Sequence, residues 1–153
     1  MQIDELDRWL ITLLTAEPRI GVLEASRRLR VARGTVQARL DRLAARGIIR
    51  DFAPSLDPAA LGWVVTAFAT IEISQGAGRD DVAEHLASIP EVLEVHTITG
   101  QGDLLCRLVG RSNEDLQRVI DDVVATSGIQ RTSTVIALAP VVPYRVLPLV
   151  TGT

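Results

Sequence analysis

Lysine is absent from this 153-residue chain: all sixteen basic residues are arginine. The acidic half of the chain is as free of lysine as the rest, so a coding preference for arginine accounts for the pattern. Cysteine occurs once, at Cys106, which excludes any intrachain disulfide. Histidine occurs only as His85 and His96, too far apart and too poorly accompanied for metal-ligand spacing, so no metal site is expected. Long apolar runs are missing as well. Stretches such as 58–71 fall short of the roughly 20 residues that cross a bilayer, so no membrane span is expected. The start, MQIDELDRWL, has acids where a signal peptide carries basic residues. With the single cysteine, that points to the cytoplasm. No nucleophile-base pair or phosphate loop stands out, so neither a catalytic residue nor a cofactor is expected.

What is present is unevenly distributed. The formal net charge is -3, yet residues 1–50 hold ten Arg against six acids while residues 51–153 hold six Arg against thirteen acids. Such asymmetry suits a chain in which one part meets a polyanion and the other does something else.

The first half reads as three helices. Leu6, Trp9, Leu10, Leu13 and Leu14 mark a buried stripe at helical spacing, with Asp4, Glu5 and Asp7 at its positive end and Pro18 as its stop. A short helix over 22–29 and a third over 34–46, with Val36, Leu40 and Leu43 inward and Gly47 as terminator, leave only a few residues between them. That is the connection of a helix-turn-helix. An extended segment and the sequence Asp57-Pro58-Ala59-Ala60-Leu61-Gly62, suited to one helical turn, mark a hinge.

The second half changes period. Residues 64–73 alternate as a half-buried strand, and a helix over 79–88 follows. Strands over 92–99 and 104–109 flank the turn Gly100-Gln101-Gly102-Asp103, and a helix over 113–126 capped by Ser112 or Asn113 leads to a strand over 132–138. The order β-α-β-β-α-β predicts a four-stranded antiparallel sheet with both helices on one face. The other face then needs a cover, for which a second subunit is the natural candidate, with the apolar tail 141–150 adding to that contact. Cys106 shares a strand face with Leu104 and Leu108 and reads as core.

Residues 27–50 carry eight arginines and one acid. At about 100° per residue, Thr35, Arg39, Arg42 and Arg46 form a stripe beside the buried one, and Asp41 falls outside it. A solvated face ordinarily mixes both signs; a single-sign stripe on the last helix of a tri-helical unit matches major-groove docking.

Several motifs in one order resemble the Lrp/AsnC (feast/famine) transcription regulators: Asp4-x-x-Asp7-x-x-Leu10, Gly34-Thr35-Val36-x-x-Arg39-Leu40-x-x-Leu43-x-x-x-Gly47-Ile48-Ile49, Leu56-Asp57-Pro58-x-x-Leu61-Gly62, and Thr99-Gly100-x-x-Asp103. The resemblance covers residues 3 to about 138. It implies an α+β chain: a winged-type helix-turn-helix domain over 1–50, a linker over 51–62, and a ferredoxin-like βαββαβ effector-binding and oligomerisation domain over 63–153. It implies double-stranded DNA, a small effector of amino-acid type, and self-association as dimers and octamers as partners. The DNA contacts it implies are Arg33, Gly34, Thr35, Gln37, Arg39 and Arg42, with Arg27, Arg28 and Arg50 as phosphate contacts. Two positions depart from the family: Arg30 stands where the turn usually has a small residue, and Ala32 where a capping Ser is usual.

By local sequence alone, 100–103 is a hairpin turn. The resemblance makes it the effector site, with Thr99, Gly100, Gln101 and Asp103, and Thr134 on the last strand, as candidates. Gly102 replaces a residue that is often bulkier in the family, which reads as opening the pocket or abolishing tight binding. Two alternatives remain: a sirohaem decarboxylase-like enzyme, poorly matched by two separated histidines, and a ligand-binding module that does not bind DNA.

Overall fold

The computed structural model describes residues 3–152. They divide into two compact units, one built from residues up to Ser55 together with the tail from Val142, the other from Leu56–Val141.

The first unit begins with α1 (Glu5–Ala16), whose N-cap Asp4 accepts from the Asp7 backbone N–H while the Asp7 carboxylate accepts from the Asp4 N–H. This reciprocal capping box satisfies two amide donors that a helix start leaves open. α2 (Val22–Leu29) and α3 (Arg33–Ala45) follow across a turn of three residues. Leu10, Ala25, Val36 and Leu43 form the buried centre, with Leu13, Leu14, Leu29 and Leu40 packed around it. Trp9, expected inside, is 52% exposed, and Asp7 takes the buried place on that face. Gly47, at φ +67°, ends α3, with the Gly47 and Ile48 N–H groups closing on the carbonyls of Ala44 and Leu43.

No strand forms among the described residues before Val65, so the wing expected after α3 is an irregular stretch over 51–57. The hinge 57–62 is a turn, with the Asp57 carboxylate accepting from the Ala59 N–H and the Trp63 N–H donating to the Pro58 carbonyl.

The second unit contains β1 (Val65–Ile73), α4 (Arg79–Ala87), β2 (Val92–Thr97), β3 (Leu104–Gly110), α5 (Asn113–Val124) and β4 (Ile129–Ala137). The strands form one antiparallel sheet in the order β2-β3-β1-β4. Ala67, Ala69 and Ile71 of β1 and Leu104, Cys106 and Leu108 of β3 pack against Val82 and Leu86 of α4 and Leu116, Val119 and Val123 of α5. Ser112 caps α5 by accepting from the Asp115 N–H. Burial, and after it the nearby Glu94 charge, pushes the Cys106 thiol up to about 11.

The tail is the main difference from expectation. Residues from Val142 onward, expected within a 63–153 domain, belong to the helical unit. There α6 (Leu147–Thr151) packs on α1, and Arg8 Nη1 donates to the Val150 carbonyl at 3.1 Å. The physical reason is that α1 presents half-buried Ile11 and Leu14 to the apolar tail.

Candidate nucleic-acid interface and effector turn

The arginines of 27–50 do not form one free cationic face. Arg39 is only 24% exposed, and its Nη1 bonds both Asp4 Oδ2 and Asp7 Oδ1. Arg42 Nη2 lies 2.6 Å from Asp7 Oδ2 and 2.9 Å from Oδ1. Arg39 and Arg42, two of the residues expected at DNA, are thereby paired with carboxylates at the start of α1. The hydrogen bond from Arg39, and after it the Asp7 backbone N–H, holds the Asp4 carboxyl below the usual carboxylate value. Arg46 places Nε and Nη2 out of solvent with no hydrogen-bond partner. Arg28 bonds Glu24 and Glu17, and Arg27 lies 3.6 Å from Glu24. Gln37 Nε2 donates to Asp41 Oδ1.

What remains open is the turn and the first turn of α3. Arg33, Gly34 and Thr35 are exposed. α3 starts without a side-chain cap, because Ala32 has no acceptor to offer. Arg30 is exposed and adopts φ +55°, ψ +41°, the only non-glycine among the described residues at positive φ. Among the described residues no ion pair engages Arg30 or Arg33. A bulkier residue than the usual small one is thus held in the turn in a left-handed conformation, with its cationic side chain exposed. Arg50 lies beyond α3 and lines an apolar cleft with the tail.

In the second unit, Thr99, Gly100 and Gln101 are exposed together at the tip between β2 and β3. Asp103 turns back: its Oδ2 accepts from the Ile73 N–H at 2.8 Å, and its own N–H donates to the Ile71 carbonyl. The carboxylate thereby stitches the turn to β1 where the β1/β4 register shifts. Thr134 is not brought to that tip; it pairs with Ala69 and shares the face covered by helices. Gly102 is a packing requirement of the turn. At φ +87°, a Cβ there would collide with Thr70 Cγ2 and sit 3.2 Å from the Ile71 carbonyl oxygen. Glycine is what lets the turn lie this close to β1.

The histidines are separate: His85 Nε2 meets the Asp122 and Val123 carbonyls, and His96 meets Glu94. Among the described residues no group of His, Cys, Asp and Glu is placed to hold a metal, and no helix is long and apolar enough to cross a membrane.

A helix-turn-helix unit joined to an antiparallel βαββαβ domain defines a class of two-domain, DNA-binding, ligand-sensing proteins. Comparison with known proteins makes this specific. The AsnC-type helix-turn-helix domain matches residues 3–44 and the Lrp/AsnC ligand binding domain matches residues 66–147. The chain belongs to the Lrp/AsnC family of transcriptional regulators. It is 35% identical over 135 residues to an uncharacterised HTH-type transcriptional regulator of Pyrococcus abyssi, covering 88% of this chain and 85% of that one. Its fold is similar to that of Escherichia coli AsnC, with a TM-score of 0.86 at 27% identity over 97% of this chain and 100% of that one. It is also similar to a feast or famine regulatory protein from Mycobacterium tuberculosis complexed with L-methionine, with a TM-score of 0.82 at 26% identity over 94% and 97% of the two chains.

Proposed function

We propose that this regulator docks on double-stranded DNA through the α2–α3 turn and the first turn of α3, with Arg30, Arg33, Gly34 and Thr35 at the centre. Gln37 adjoins them, and Arg27 and Arg28, whose carboxylate partners Glu24 and Glu17 are themselves solvent-exposed unlike Asp7, supply flanking phosphate contacts. Arg39 and Arg42 act as positioning residues that fix α3 against α1. The observation that carries this reading is the contrast between the ion-paired Arg39 and Arg42 and the exposed, unpaired Arg30 and Arg33. Arginine's planar fork suits both phosphate and guanine edges.

The effector is an amino acid, bound at Thr99, Gly100 and Gln101 with a neighbouring subunit completing the site. Asp103 shapes that turn from behind. The methionine complex of the Mycobacterium tuberculosis relative supports this class of ligand. The sheet face away from the helices carries Phe68, Leu105 and Val135, and Arg107 Nε is buried there without a partner. This face supports a homodimer as the unit that builds larger rings. The chain performs no catalysis in this reading.

Sequencing genomic fragments retained by purified protein, with and without a panel of amino acids, tests both halves. A recurring pseudo-palindromic site whose retention changes with at least one amino acid is expected. Equal retention of random and genomic DNA at every salt concentration overturns the sequence-specific reading.

A further inference from the structure

Within the helical unit, α1, residues 48–53 and the tail line a half-open cleft of about 650 Å³. That volume lies within the range of small-molecule sites, about 300–1,000 Å³. Ile11, Leu14, Ile49 and Leu147 supply apolar walls that the fold leaves only half-buried. Two cations, Arg50 and Arg145, line the same cleft, and neither has an acidic partner among the described residues. The contrast with Arg28, Arg39, Arg42 and Arg118, all held by carboxylates, is direct. The one acid in the lining, Asp51, directs Oδ1 to the Ala53 N–H at 3.1 Å.

We propose that this cleft is a second ligand site, separate from the turn at 99–103, and that it takes a small amphipathic carboxylate with an aliphatic or aromatic body. The apolar walls select the body, since removing apolar surface from water is favourable roughly in proportion to the area covered. Arg50 and Arg145 select the anionic head, because guanidinium groups bond carboxylates bidentately. A phosphate backbone would use the arginines and leave the walls wet, and a neutral lipid would use the walls and leave both cations unpaired. Because one wall is the tail and the opposite one is α1, an occupant ties the tail down against the helix that also anchors Arg39 and Arg42. The proposal does not depend on the DNA reading or on the amino-acid site.

Titration calorimetry on the full chain with octanoate and with 1-octanol as probes tests it. Octanoate is expected to bind at one site per chain at least tenfold more tightly than octanol. Arg50→Ala/Arg145→Ala, changing two exposed side chains, is expected to remove that preference, and Leu14→Trp to block both probes. Asp103→Ala is expected to leave octanoate binding within twofold. The absence of octanoate binding, equal affinity for the two probes, or a preference unchanged in the double-arginine variant overturns the proposal. Loss of octanoate binding in Asp103→Ala would assign the probe to the effector turn and overturn it as well.

Discussion

Asp7 and Arg42, 35 residues apart in the chain, meet with both carboxylate oxygens within 2.9 Å of one guanidinium nitrogen, and Asp7 is 1% exposed. The same carboxylate accepts from the Asp4 N–H and pairs with Arg39. A buried carboxylate is tolerable only when so surrounded. Asp7→Ala removes both the helix cap partner and the acceptor for two guanidinium groups, and is expected to lower unfolding free energy by about 2 kcal/mol in denaturant titrations. Asp7→Asn keeps the shape and should lose less.

Arg39 separates the positioning role from DNA contact. Arg39→Lys preserves the charge but cannot bridge Asp4 and Asp7 with a planar fork. The expected result is a lower Tm with an unchanged slope of log affinity against log salt. A slope reduced by about 1 would instead place Arg39 on a phosphate.

The acid limb of stability follows from Asp4. Its folded pKa lies below the ordinary value of 3.8, through the Arg39 hydrogen bond first and the Asp7 N–H second. The contribution is therefore complete above about pH 4 and is lost as pH falls through the lowered folded value. Trp9 on α1 reports this unit once Trp63 is replaced by Phe. Asp4→Asn is expected to weaken the folded state at pH 6 and to flatten its further loss below pH 4. An acid limb unchanged in that variant would move the titration to another carboxylate.

Much of this architecture is legible in the sequence. The period switch from 3.6 to 2, the proline and glycine stops, and the βαββαβ order all survive, because each depends on local pattern and on one buried face. The partners of Arg39 and Arg42 are not legible in that way. A helical wheel gives the direction of a side chain around its own axis but not what another helix places opposite it. Asp4 and Asp7 read sufficiently as helix-start acids, so nothing local marked them as acceptors for α3. The place of the tail was illegible for a related reason: Val141–Val150 is apolar enough to need cover, and composition alone does not say that α1 supplies part of it.

Gly102 and Gly100 share the turn and both have positive φ, but only Gly102 has neighbours close to where a Cβ would stand. Gly100→Ala is expected to cost about 1 kcal/mol, the conformational penalty alone. Gly102→Ala adds a clash with Thr70 and the Ile71 carbonyl, and is expected to cost about 2–3 kcal/mol. Thermal unfolding of the pair checks this; equal losses would mean that the turn yields freely from β1.

Arg30 offers the sharpest separation of stability from recognition. Its left-handed conformation disfavours any residue with a Cβ by about 1 kcal/mol relative to glycine. Its N–H closes on the Arg27 and Ser26 carbonyls, a backbone cap that glycine would make equally well. Arg30→Gly is therefore expected to raise unfolding free energy by about 0.5–1 kcal/mol. If the side chain is retained for DNA, the same change weakens binding and lowers the salt slope by about 1. Arg30→Ala keeps the strain while removing the cation, so it should share the binding defect without the gain in stability. A stabilised Arg30→Gly protein that binds DNA with wild-type affinity and slope would remove Arg30 from the interface. The contact would then rest with Arg33 and the exposed first turn of α3.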